Sequence, residues 1–293
     1  MPQSTLTPVK NRNILTAIKS IADFKNNDLK KYFATYEVRI NQVGEQLEYY
    51  VRDAICGSFK INQEKLSQYT GVFSYLGNQN NPPDIIITNG DAFEVKKIKN
   101  LTNNLALNNS PPKERLWKND PRITVHCRAC DGGNWVSKDI FYAVGCANGG
   151  KLKHLFFVQG NCYAADKEFY YKKSKELKDG IRNFFQSKNW EYTETKELGR
   201  INRIDPLGIT NFRIRGMWEI QNPIKVFSYL YRVDERKDFS LVALMTREKY
   251  KSFPRDDVIA IETHEGITSK PATIRNPNNP ALSIEAQLIT LSW

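Results

Sequence analysis

The sequence predicts a mixed α/β fold in which a mixed central β-sheet is flanked by helices and followed by an irregular C-terminal half. Three observations predict it. Apolar residues recur at three-to-four spacing in the first 60 positions; a β-branched run, Asp84-Ile85-Ile86-Ile87-Thr88, is followed at once by Ala92-Phe93-Glu94-Val95-Lys96; and more apolar clusters come after position 138. The first period is that of helices and the second that of strands.

Residues 11–34 read as a helix with Ile14, Leu15, Ile18, Ile21 and Ala22 on one side. From Val43 to Ile55, Val43, Leu47, Val51 and Ile55 recur every four residues, and Gly57 stands where a helix stops. The isoleucine run lies between Asn80-Asn81-Pro82-Pro83 and Asn89-Gly90, so with Ala92–Lys96 it predicts a hairpin. Residues 100–112 are polar and proline-bearing and read as a loop. Strands follow at Asp139–Gly145 and Leu155–Gly160. Residues 166–188 predict an exposed helix with Phe169, Leu177, Ile181 and Phe184 or Phe185 on one side. Phe212–Glu219, Lys225–Tyr231 and Ser240–Met245 read as strands, and the Pro- and Asn-rich stretch from Thr268 to Pro280 as irregular. No repeat or linker divides the 293 residues, which predicts one domain.

A hydrophobic share of 40% is enough for a large core. No apolar run approaches the length of a membrane span, and Met1-Pro2-Gln3-Ser4-Thr5 lacks the charged-then-apolar order of a secretory signal. Five cysteines, an odd number, fit a reducing compartment, so a cytoplasmic location is expected. The net charge of +11 favours a polyanionic partner, and nothing suggests a basic membrane helix.

The segment with the most chemistry is Pro83-Asp84 with Glu94-Val95-Lys96. Side chains alternate along a strand, so Glu94 and Lys96 share a face and Val95 takes the other. Asp84 joins them only if the turn has an odd residue count. A three-residue turn Asn89-Gly90-Asp91 is expected, with Asp84 opposite Lys96 and with Ile85 and Ile87 in the core beside Phe93 and Val95. Two converging carboxylates repel each other and call for a cation, and Mg²⁺ takes a few carboxylate oxygens plus water and phosphate. Lys96 would orient the attacking water or help to deprotonate it, and stabilise the charge that develops. These parts suit phosphodiester hydrolysis. The competing reading is a surface hairpin with an ordinary ion pair, but three isoleucines after Asp84 mark a central strand, where acids are rare.

These residues resemble the PD-(D/E)xK nuclease superfamily, Pro83-Asp84 matching the first half of its motif and Glu94-Val95-Lys96 the second. The resemblance implies a helix before the hairpin that carries a further acid, which falls on Glu48 in Val43–Val51. It extends through Cys127-Arg128-Ala129-Cys130, Trp135 to Gly145, Asp205-Pro206-Leu207-Gly208 and Arg213-Ile214-Arg215-Gly216-Met217-Trp218, which look like Type II restriction endonucleases of the NgoPII kind that cut GGCC. It implies a restriction-endonuclease-like core over roughly residues 35–165, recognition elements over roughly 195–293, Mg²⁺ at Asp84 and Glu94, and a homodimer on double-stranded DNA. A structure-selective repair or recombination nuclease of the same superfamily is the alternative.

For reading the duplex, Arg200, Arg203, Arg213 and Arg215 alternate with apolar residues. Arginine forks match guanine O6/N7, and each good pair is worth roughly 1–3 kcal/mol of discrimination. Arg213 and Arg215, two apart, would share one strand face; Trp218 would stack or pack beside them, and Lys138 would touch the active-site groove. Cys127 and Cys130 have the spacing of half a zinc site, with Cys146, His154 or Cys162 as further ligands. They are otherwise reduced thiols in a turn. A non-catalytic, zinc-stabilised DNA-binding protein is the non-enzyme reading. With three histidines and no matching Ser or Cys motif, a hydrolytic triad is not expected.

Overall fold

A computed structural model describes residues 11–30, 43–59, 65–78 and 81–293. The expected helix at 11–34 is described from Ile14 to Phe24 (α1), and its last positions, 31–34, lie outside the described residues, as do Met1–Thr5 and Asn80. Asn13 starts α1 with a reciprocal cap: its side chain accepts from Leu15 and Thr16 N–H while Thr16 Oγ1 accepts from Asn13 N–H. Lys25 ends it in the left-handed conformation.

After α1 come α2 (Val43–Cys56), α3 (Lys65–Val72) and the strands β1 (Phe73–Asn78), β2 (Asn81–Ile87), β3 (Ala92–Ile98), β4 (Leu105–Ala106) and β5 (Arg115–Trp117). Next are α4 (Val125–Ala129), β6 (Ser137–Asn148), β7 (Lys151–Gln159), α5 (Gly160–Tyr163), α6 (Lys167–Ser187), β8 (Gly199–Ile201), β9 (Phe212–Ile214) and β10 (Glu219–Ile220). The chain ends with α7 (Pro223–Val226), β11 (Ser240–Thr246), α8 (Arg247–Lys251), α9 (Arg255–Glu262), β12 (Ile267–Asn276) and β13 (Asn279–Ser292).

The described strands form one nine-stranded mixed sheet, order β1-β2-β3-β6-β7-β11-β13-β12 with β5 on β6, and two small ladders, β10-β4 and β8-β9. β3 runs parallel to β6, and β7 parallel to β11. One face of this sheet, with Ile85, Ile87, Phe93, Phe141, Ala143 and Phe157, packs on α1 and α2 through Ile14, Ile18, Leu47 and Val51. The other face carries two smaller cores, one around Tyr142, Val144, Phe156 and Leu288 and one around Ile86, Ala92, Leu116 and Ile140. Among the described residues, no helix is long and apolar enough to cross a membrane.

The sheet and α2 come close at Gly145 on β6, where a Cβ would lie 2.6 Å from the Leu47 methyl groups. Gly145→Val should therefore cost about 1–3 kcal/mol by overpacking. A denaturation midpoint equal to that of the wild type would show that the contact relaxes freely.

Three expectations are corrected. Lys225–Tyr231 is not a strand: Asn222 accepts from Lys225 N–H and Pro223 takes the first helical position, so α7 forms there, followed by turns. Thr268–Pro280 is not irregular but holds most of β12 and the turn into β13; Pro271 is tolerated because β12 is an edge strand. On α6, Phe185 is buried and Ile181 half-buried, whereas Phe169, Leu177 and Phe184 are exposed. The strands β11 to β13, within the stretch expected to recognise DNA, extend the central sheet.

Candidate active site

The β2–β3 hairpin turns through three residues, as its odd count requires, but one position earlier than expected. Ile87 N–H donates to Asp91 O (3.0 Å), which closes the loop Thr88-Asn89-Gly90, and Ile85 pairs with Phe93. Asp84 is therefore level with Glu94 instead of Lys96, and a shift of two residues keeps the same face. The cause lies at the turn. Asn89 adopts a positive φ of 54° and donates its N–H to Asp131, while Asp91 is held in the sheet by Lys249 at 2.6 Å.

Past Ile85 the two strands part. Ile87–Asp91 and Ile85–Phe93 are the bonded positions, so the next β3 donor in that row is Val95 N–H. It donates to Asp84 Oδ2 at 2.6 Å. The carboxylate thus takes the place of a backbone acceptor and is fixed against β3. On the far side of β2, a Cβ at Gly77 would sit 2.3 Å from Pro83 O, so β1 can run this close only with glycine there.

Glu94 and Lys96 share the sheet face opposite α1 and α2, and their side chains pair at 2.7 Å through Glu94 Oε1. Glu94 is buried, and its Oε2 has no hydrogen-bond partner. Beside it is a cleft lined by Pro82, Leu107, Ser110, Lys113, Ile140 and Tyr142, in which Ser110 Oγ is likewise buried and unpartnered. Burial, then the charge of Glu94, push the Asp84 carboxyl well above the usual range, against the opposing pull of Lys96. Burial alone would lower the Lys96 ammonium, but Glu94 and Asp84 outweigh it and hold its pKa up. Lys96 is therefore a cation here, which favours orienting water and balancing charge over removing a proton.

Glu48 on α2 is mostly buried and paired with Arg52 one turn on. Burial raises its pKa, Arg52 opposes that, and the charge of Glu94 adds to it, so Glu48 lies within electrostatic reach of the hairpin acids. Arg52 was not singled out from the sequence, although its i,i+4 spacing from Glu48 is readable there. Among the described residues, no group of three or more His, Cys, Asp or Glu could hold a metal ion. Asp84 and Glu94 nonetheless suit an ion that keeps most of its waters: a buried oxygen without a partner and a carboxyl raised by its neighbour's charge are both relieved by a cation.

The remaining predicted residues scatter. Lys138 does not reach the groove; it is buried at the hairpin turn, bonded to Asp131 (2.6 Å) and Gly90 O (3.2 Å). Because Ala92 pairs with Ile140, Lys138 is level with Gly90, about 13 Å along the strand from Glu94. Trp218 packs edge-on against Tyr170 (5.5 Å) and on the core around Tyr142. Arg200 and Arg213 pair across the β8–β9 ladder, and Arg215 follows on the side of Arg213. Arg203 is exposed in the connecting turn, 3.9 Å from Glu191. Cys127 and Cys130 are buried near Ile86 and Ile140, and burial pushes the Cys127 thiol up to about 12. Cys146 and Cys162 belong to the separate core around Tyr142.

A mixed sheet whose antiparallel hairpin presents Asp84, Glu94 and Lys96 on one face, next to a parallel strand, defines a nuclease of the restriction-endonuclease-like class. The family model described as NgoPII restriction endonuclease matches residues 12–276. The chain is 42% identical over 280 residues to the Type II restriction enzyme NgoPII of Neisseria gonorrhoeae, covering 95% of this chain and 99% of that protein. No solved structure matches the chain. The chain belongs to the NgoPII restriction endonuclease family, and as such it is a site-specific deoxyribonuclease.

Proposed function

We propose that this chain cuts both strands of double-stranded DNA within a short symmetric site, as a homodimer, with Mg²⁺ held by Asp84 and Glu94. The observation that carries this reading is the buried, unpartnered Glu94 Oε2 on the same face as Asp84 and Lys96. A bound Mg²⁺ lowers the pKa of water and offsets charge on the scissile phosphate. The side chains supply the rest. Val95 N–H fixes Asp84, Glu94 keeps Lys96 close to the acids, and the Lys96 ammonium orients the attacking water and stabilises negative charge on phosphate oxygens. Glu48 with Arg52 adds a second pair within reach of the hairpin. A twofold dimer places two such centres on a palindrome.

GGCC, which the resemblance of the sequence implies, is the first site to test. Plasmid DNA of known sequence, digested with Mg²⁺, should give discrete bands whose ends map to one short sequence, and EDTA should stop cleavage without unfolding the protein. A smear instead of bands would indicate a structure-selective nuclease. Loss of the fold in EDTA, read by circular dichroism, would favour a structural metal at Cys127 and Cys130. Sedimentation with and without a short duplex tests the dimer.

A further inference from the structure

We infer that Glu197 is a positioning residue for base reading, holding Arg213 and Arg215 side by side so that the free end of Arg215 meets a guanine. This deepens the preceding reading, since it rests on the chain cutting DNA within a short specific site. Glu197 Oε1 accepts from Arg213 Nη2 (2.6 Å) and from Arg215 Nε (2.7 Å), and its Oε2 accepts from Arg213 Nε (2.8 Å). One carboxylate thus clamps two guanidinium groups that would otherwise repel each other.

The two arginines are held differently. Arg213 gives a whole edge, Nε and Nη2, to Glu197. Arg215 gives only Nε, and among the described residues no hydrogen bond or ion pair takes its terminal nitrogens. Those two nitrogens form the fork that fits O6 and N7 of guanine. The Arg215 and Arg213 side chains are 63% and 52% exposed whereas Glu197 is 16% exposed, so the carboxylate is the least exposed of the three and the fork faces solvent. Hydrogen bonds from Arg213, then Arg215, hold the Glu197 carboxyl below its ordinary range, so it stays charged. A fork already ordered loses less freedom on binding than a free arginine.

The arm is also placed beside the chemistry. Three residues after Arg215, Trp218 N–H donates to Asn108 O (2.6 Å) and Trp218 O accepts from Leu107 N–H (2.9 Å). Leu107 lines the Glu94 cleft. Three residues of chain span at most about 10 Å, which is about three base-pair steps. Arg215 is therefore tethered within that span of backbone bonded to the wall of the Glu94 cleft, which keeps the arm near the site.

The test uses the full-length enzyme, once digestion has mapped its site, with duplexes carrying that site or one altered G·C pair. Glu197→Ala should raise KM more than it lowers kcat and reduce discrimination between the two duplexes by about 10-fold or more. Glu197→Gln, which keeps one acceptor oxygen, should recover part of it. Arg215→Ala should lose the same discrimination, and Glu197→Ala/Arg215→Ala should be no worse than Arg215→Ala alone, because the carboxylate acts through the arginine. Additive losses, or wild-type discrimination in both Glu197 variants, would overturn the role of Glu197 and leave the nuclease reading standing. Wild-type discrimination in Arg215→Ala would instead remove this arm from DNA reading altogether.

Discussion

Asp84→Asn should abolish cleavage and yet raise the thermal stability of the protein. The loss follows from the proposed chemistry: without one of its two carboxylates the cation would be held weakly, and several kcal/mol of charge stabilisation would go, each 1.4 kcal/mol being tenfold in rate. A fall of about 1000-fold or more is expected in single-turnover cleavage, and a similar fall for Glu94→Gln. DNA binding, measured by anisotropy in EDTA, should survive in both.

The gain in stability follows from the environment of Asp84. Its carboxyl is raised by burial and by the charge of Glu94, so its ionised form is a net cost to the folded state. The folded protein binds this proton more tightly than the unfolded chain. In EDTA, stability should therefore fall as pH rises from the ordinary aspartate value through the raised folded value, and be level beyond. Asn removes that slope while keeping an oxygen for Val95 N–H. Adding Mg²⁺ should raise the wild-type melting temperature, because a ligand of the folded state stabilises it, and leave Asp84→Asn unmoved. An Asp84→Asn variant that cleaves at the wild-type rate would remove Asp84 from the catalytic centre.

The sequence made the hairpin legible because its signals are local. Three isoleucines after Pro82-Pro83, an Asn89-Gly90 turn and strict alternation at Glu94 and Lys96 need no partner elsewhere to be read. The face shared by Asp84 and Glu94 followed from parity alone. The exact register did not, since it depends on Asp131, 42 positions from Asn89, and on Lys249, 158 positions from Asp91. Lys138 was hidden differently: a lysine before an apolar strand reads as facing the groove until the fold brings Asp131, seven positions away, and Gly90 O, 48 away, to meet it. Glu197 was invisible for another reason, since one glutamate in a charged stretch has no pattern until β8 and β9 fold back on each other. β12 went unread because Pro and Asn signal loops, and only the pairing along β13 overrides them.

Lys249→Met should be the most damaging substitution to stability outside the apolar core. Lys249 lies on α8 and bridges Asp91 on the hairpin (2.6 Å) and Asp139 on β6 (3.0 Å), with 12%, 10% and 17% of the three side chains exposed. Arg115 and Gln159 also reach Asp139, but among the described residues Asp91 has no second cation at bonding distance. Removing the ammonium leaves a buried carboxylate uncompensated, a loss of about 3–5 kcal/mol. In a chain of this size that is a fall of roughly 10 °C in melting temperature. Burial pushes Asp91 up while Lys249 pulls it down, so the variant should also lose stability more steeply as pH rises above the ordinary aspartate range. In the wild type Lys249 gives a slope of the same direction, but at higher pH. Burial lowers its pKa, but Asp91 and Asp139 raise it further, so its contribution is complete below the ordinary lysine value and fades only as pH climbs through the raised one. Asp91→Asn/Lys249→Met, which removes both charges, should be more stable than Lys249→Met alone. If the double variant melts lower than the single, the pair is not what holds the turn of the β2–β3 hairpin to α8.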